Sequence, residues 1–210
     1  MNYSKKIQAF GFVCLLLLLW SCKQQEEQPE AKKPVASFSM LVNGKEWKPY
    51  QNPKDPCSST FYAATGMLGW MGEELPFYTV HAYCDLSGRG DAHSENLLRM
   101  QVMNTIAPGI YILDGSYKKD LFDSYIIFQT RKSTGDVKRY INDPKRKAFT
   151  VTIEAFLPVK GLSYKGIKGT FEGVVYNEDT PSDSLIIDKG NFTFGIVNGG
   201  FDQQCGVQGQ

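Results

Sequence analysis

The chain has 210 residues, with 23 Lys and Arg against 22 Asp and Glu and a formal net charge of +1. That near balance excludes the concentrated basic face on which nucleic-acid binding rests. Only two histidines are present, which leaves little material for a clustered metal site.

Residues 1–21 read as a secretion signal. Lys5 and Lys6 precede an apolar stretch from Ala9 to Trp20, centred on the run Leu15 to Leu19. Such a stretch rises roughly 18 Å as a helix, short of a ~30 Å hydrocarbon core. The segment Leu19-Trp20-Ser21-Cys22 resembles the lipobox of bacterial lipoproteins. There the signal is cut before the Cys, whose thiol takes a diacylglycerol and whose new amino terminus is acylated. Trp20 is bulkier than usual at its position. The resemblance implies a lipid anchor at Cys22 carrying palmitate or similar chains, since stable anchoring takes more than one. Losing Lys5 and Lys6 leaves 21 basic and 22 acidic side chains, formally −1. Residues 22–34, CKQQEEQPEAKKP, hold no branched or aromatic residue after the Cys. They cannot bury apolar surface and are expected to form a mobile tether. Glu26-Glu27 resembles the export signal that sends some lipoproteins of the phylum Bacteroidota to the outer face of the outer membrane.

From Val35 the pattern becomes one of strands, and a single β-domain is expected over residues 35–198. Asn43-Gly44 predicts a two-residue hairpin joining Ser37–Val42 to Lys45–Lys48. Gly69 and Gly72 flank a second turn, centred between Trp70 and Met71, in a hairpin over 58–83. In its return strand Tyr78, Val80, Ala82 and Cys84 share one face, and Thr79, His81 and Tyr83 the other. Leu98, Met100 and Val102 then alternate with Arg99 and Gln101. Pro108-Gly109 and Asp114-Gly115 mark turns. Ser124 to Thr130 is apolar on both faces, which suits a central strand. Thr134-Gly135-Asp136 and Asn142-Asp143-Pro144 mark further turns. Phe149, Val151, Ile153 and Ala155 alternate with Thr150, Thr152 and Glu154. Ile167, Phe171 and Val175 repeat the pattern, Lys189-Gly190 marks another turn, and Phe192, Phe194 and Ile196 close it. No long helix is indicated. Residues 199–210 are rich in Gly and Gln and are expected to be loosely held. The expected fold is all-β: a single antiparallel β-sandwich or partly closed barrel of about nine or ten strands.

These elements also resemble a family of uncharacterised Bacteroidota lipoproteins. The resemblance lies in Asn43-Gly44-Lys45-Glu46-Trp47, Pro108-Gly109-Ile110-Tyr111, Ile167-Lys168-Gly169-Thr170-Phe171 and Gly190-Asn191-Phe192, in that order over roughly Ser37 to Val197. It implies an extracytoplasmic β-domain with no established activity and transfers no functional residue. Cys57, Cys84 and the insert around Lys138–Lys147 are not part of the pattern.

Candidate chemistry is sparse. His81 and His93 lie twelve residues apart with no C-x-x-C or H-x-x-x-H, so neither a metal nor another cofactor is expected. Asp114, Asp120 and Asp123 match no calcium loop and read as solvated acids. No G-x-S-x-G is present, and no catalytic residue is indicated. Glu73-Glu74 and Asp179 read as exposed loop charges. If Cys57 faces Cys84 across the hairpin, a disulfide staples its open end, worth about 3 kcal/mol. Cys57–Cys205, Cys84–Cys205 and no bridge at all stay open. Arg89-Gly90-Asp91 reads as a loop. Trp47, Trp70, Tyr62, Tyr78 and Tyr83 are candidates for a sugar-stacking platform or for core packing. Trp70 with Met71, at an apolar loop tip, is the candidate partner contact. The reading is a membrane-anchored lipoprotein of the cell envelope, attached to the outer membrane and exposed at the surface. Its β-domain binds or supports without catalysis, with a glycan or an envelope protein as partner. The alternative is an extracytoplasmic hydrolase of unfamiliar type acting on glycans.

Overall fold

The computed structural model describes residues 36–50, 61–70, 73–84, 96–117, 122–131, 137–158, 163–195 and 197. The expected signal, Cys22, the tether, Cys57, Met71, Arg89-Gly90-Asp91, Asp120, Cys205 and the 199–210 tail lie outside these residues.

Eleven strands and no helix are found among the described residues. They are β1 (Ala36–Val42), β2 (Lys45–Trp47), β3 (Phe61–Trp70), β4 (Glu73–Tyr83), β5 (Leu97–Met103), β6 (Gly109–Ile112), β7 (Tyr125–Arg131), β8 (Val137–Asn142), β9 (Thr150–Leu157), β10 (Gly166–Asn177) and β11 (Ser184–Phe194). All pairings are antiparallel, in the order β2-β1-β11-β10-β8-β7-β5-β4-β3, with β6 joined through β9 to β10.

The long strand β10 explains the shape. Its residues Gly166–Glu172 pair with β9, and Val175–Asn177 pair with β8 on the same edge. The sheet therefore forks at β10 into two wings. The first runs β2-β1-β11-β10-β9-β6 and the second β8-β7-β5-β4-β3. Curling brings them face to face as a half-barrel, the partly closed all-β architecture expected. Phe61 meets Phe194 (6.1 Å between centroids), Trp47 meets Phe128 (5.8 Å) and Tyr78 meets Phe156 (5.7 Å). The Tyr78 hydroxyl donates to the Lys165 carbonyl at 3.0 Å. The alternating apolar sets read from the sequence point into this space: Leu98, Met100, Val102, Val151, Ile153, Ile167, Phe171, Val175, Phe192 and Phe194 are all buried. A column of rings, Phe149–Phe171–Phe192–Phe194, runs through the first wing at spacings of 6.1–6.4 Å.

The segments Ile167–Phe171 and Gly190–Phe192 interlock there. Gly169 pairs with Phe192 and Gly190 with Phe171 across β10 and β11. A methyl group on Gly169 would lie 2.8 Å from the Phe192 ring, and one on Gly190 would lie 2.6 Å from the Phe171 ring. Each glycine thus seats the other segment's phenylalanine.

Several expectations need correction. The segment 137–142, expected inside an insert, is β8, and Gly109–Ile112 is a short strand rather than only a turn. Lys189-Gly190 is no turn. Lys189 has φ +47°, and the β10–β11 ladder slips in register between Phe171 and Gly173, so the pair is a bulge within β11. Trp70 pairs with Glu73, so the β3–β4 turn is centred one residue later than expected, after Met71. Asn43-Gly44 forms the hairpin expected of it, both residues at positive φ (49° and 75°).

Candidate functional site

The second wing has two faces, and the one turned away from the core is unusual. An outward sheet face ordinarily carries Thr, Lys and Glu. Here one row crosses six strands as Tyr62–His81–Arg99–Ile127–Ile141–Tyr176, each pair directly opposite in its ladder. A second row runs Tyr83–Leu97–Gln129–Arg139, and a third Ala64–Thr79–Gln101–Tyr125. Thr79, Gln101, Gln129 and Tyr125 are buried although they belong to this face. They form a recessed polar floor between taller aromatic and arginine side chains.

The aromatic groups are stacked. The Tyr62 ring lies on His81 at 4.6 Å with 4° between planes, and His81 lies 6.4 Å from Tyr83. The Tyr83 hydroxyl is 3.4 Å from His81 Nδ1. Burial, seconded by the Arg99 charge, lowers the His81 pKa to about 3, so the imidazole is neutral at ordinary pH. Burial raises the Tyr83 hydroxyl well above the usual tyrosine range; Tyr62 adds to this and Arg99 opposes it. Three arginines each lie over a tyrosine ring: Arg99 over Tyr125 at 5.7 Å, Arg139 over Tyr117 at 5.5 Å and Arg146 over Tyr176 at 4.8 Å. Arg139 also meets Glu178, and Arg146 meets Asp143. Among the described residues no carboxylate pairs with the exposed Arg99.

At the β8 end the face runs into a cleft of about 540 Å³ lined by Asp114, Asp123, Asp143, Tyr176 and Glu178, among others. Four carboxylates in one cleft invite a hydrolytic reading. The geometry gives three of them structural work. Asp123 accepts the Ser116 N–H at 2.8 Å. Asp143 accepts the Lys145 N–H and pairs with Arg146. Glu178 accepts the Tyr117 hydroxyl at 3.0 Å and meets Arg139. These contacts hold the cleft's loops. No group of three or more His, Cys, Asp or Glu among the described residues is placed to hold a metal ion.

The residues singled out from the sequence divide cleanly. Tyr62 and Tyr83 share the outward face with His81. Tyr78 sits on the opposite face, buried and bonded to Lys165. Trp47 packs edge-on between Phe38 and Phe128. The backbone of Trp70 ends β3, while Met71 falls outside the described residues. Cys84 follows β4 with its thiol 3.4 Å from the Lys48 carbonyl. Sequence reading missed Arg99, Tyr125, Tyr117 and Arg139 as a group. The available signal was the chemistry of the polar half of each alternation: Arg and Tyr stand where Thr and Glu would suffice.

Residues 35–195 match the family model described as a domain of unknown function (DUF5025). No curated protein and no solved structure matches the chain. The chain belongs to this family.

Proposed function

We propose that this chain is a lipid-anchored extracytoplasmic binding module without catalysis. Cys22 is the lipidated residue, residues 22–34 are the tether, and the outer membrane is the site of attachment, with Glu26-Glu27 directing the domain to the cell surface. The β-domain presents the outward face of its second wing to a ligand, with a glycan favoured over an envelope protein.

One observation carries the binding reading: the row Tyr62–His81–Arg99–Ile127–Ile141–Tyr176 on a face that is not the core. Stacked rings flanking an arginine suit a sugar, whose C–H faces pack on aromatic planes while its hydroxyls take guanidinium hydrogen bonds. The noncatalytic reading is supported by the cleft acids being used as loop acceptors.

Two measurements test the proposal. Alkyne-palmitate fed to cells producing the full chain should label it, and Cys22→Ala should abolish labelling; an equally labelled variant removes the anchor. On a glycan array, the purified full chain should retain at least one class of saccharide. Tyr62→Ala and Arg99→Gln should each weaken that binding about tenfold, as expected for a stacking or cation contact worth ~1.4 kcal/mol. Binding unchanged in both variants sinks this face as the site. Turnover of a bound glycan by the wild-type chain sinks the noncatalytic reading.

A further inference from the structure

Four exposed apolar side chains lie toward one end of the domain, while Ile112, Ile186, Val137 and Tyr50 are exposed outside this group. Ile106 and Ile110 are 74% and 73% exposed, Met67 51% and Tyr164 48%. Although far apart in sequence, they are brought together by the ladder. Met67 pairs with Pro76, whose carbonyl accepts the Thr105 N–H at 3.1 Å. Ile106 follows Thr105 and leads into β6, where Ile110 faces outward opposite Thr152. Tyr164 precedes Lys165, whose carbonyl receives the hydroxyl of Tyr78, two residues along β4 from Pro76.

The first described strand begins at this same end. Ala36, the first residue of β1, lies in register with Phe194, Phe194 with Ile167, and Ile167 with Phe156. Phe156 is the ring against Tyr78. Three interstrand steps of about 4.8 Å separate Ala36 from β9. Only 12 residues lie between Cys22 and Val35, giving a reach of at most roughly 45 Å.

We propose that this end, with Ile106, Ile110, Met67 and Tyr164 at its surface, rests on the lipid bilayer that holds the anchor. The inference rests on the lipid-anchor reading above. Branched and thioether side chains with no polar tip are costly to leave in water and suit the acyl boundary, while Tyr164 suits the headgroup level. A short tether attached to the same end holds that surface near the membrane continuously, so even weak contact persists. The consequence is orientation: the domain stands on one end in place of tumbling, and its second-wing face keeps a fixed direction.

The test uses the full lipidated chain in phosphatidylcholine vesicles containing a diazirine-bearing phospholipid. After illumination, protease digestion and mass spectrometry locate the crosslinks. Crosslinks on peptides spanning 103–112 and 163–168 are expected, and Ile106→Ser with Ile110→Ser should lower them about tenfold while palmitate uptake at Cys22 is unchanged. Crosslinks confined to the tether, or spread evenly onto Val137–Lys147, overturn the inference and leave the anchor standing. A chain that takes up no palmitate overturns the anchor and this inference together. Concentration-dependent crosslinks between two copies through β6, without lipid, replace the bilayer by a second chain and overturn it as well.

Discussion

Two side chains set expectations at the scale of single residues. His81 is held neutral by burial and by Arg99, with its pKa lowered to about 3 from 6.5. The unfolded chain therefore binds more protons than the folded one between those values. Stability rises with pH across that window and is lost as pH falls from 6.5 toward 3, at a limiting slope of about 1.4 kcal/mol per pH unit. His81→Phe should flatten this limb of a denaturation-against-pH profile; an unchanged limb would assign the acid sensitivity elsewhere. Asn142 is the second. It is buried, accepts the Ile126 N–H at 3.0 Å, and donates to the carbonyls of Leu113 and Gly115 at 2.8 and 2.9 Å. Asn142→Ala strands two buried backbone groups and one part-buried carbonyl, so urea titration should show a loss of about 2–4 kcal/mol. Its sequence context, Asn142-Asp143-Pro144, reads as a turn. The turn is present, but nothing local announces that the amide ties β7 and the 113–115 segment to β8.

At the scale of elements, what was legible from the sequence is what period 2 records. β1 and β2 follow from alternation around Asn43-Gly44, β5, β9 and the closing strands from alternation alone, and β7, apolar on both faces, is central as its composition requires. What was not legible came from register and pairing. β6 has four residues, too few for a period to declare itself. Lys189-Gly190 carries turn chemistry but is spent on a bulge, because Phe171 of the neighbouring strand needs the space. That packing separates three glycines by experiment. Gly190→Ala places a methyl 2.6 Å from the Phe171 ring and should cost about 1–3 kcal/mol by overpacking. Gly109→Ala meets nothing within 4 Å and should be neutral or stabilise by a few tenths of a kcal/mol. Gly44→Ala also meets open space but must hold φ +75°, and should cost about 1 kcal/mol. Equal thermal shifts for all three would refute the interlocking of the two segments.

Over the described residues the domain is one sheet curled into a half-barrel, and the fork at β10 that makes its two wings is the property that alternation could not forecast. Inward and outward faces were readable; that the outward face of one wing would be aromatic and recessed was not, because its rows assemble from six strands. The β3–β4 hairpin is the informative piece. It is the terminal hairpin of the sheet path and is laddered to the rest of the sheet only through β5. Its other ties include Phe61 to Phe194, Tyr78 to Phe156 and the Tyr78 hydroxyl to Lys165 across the core, and single backbone bonds from Tyr50 to Tyr83 and from Thr105 to Pro76. β10 and β11, by contrast, are flanked on both sides and enclose the phenylalanine column. Local opening should therefore begin at the hairpin. Native-state hydrogen exchange is expected to show β3 and β4 amides opening at lower free energy than those of β10 and β11. Tyr78→Phe removes one buried hydrogen bond and should lower the hairpin's opening energy by about 1 kcal/mol, with β10 and β11 changed less. If both regions shift together, the wings unfold as one unit and the core contacts outweigh the ladder. Because Tyr62, His81 and Tyr83 ride on that hairpin, the same opening would dismantle the proposed ligand face first. Ligand binding should then protect β3 and β4 more than any other strands.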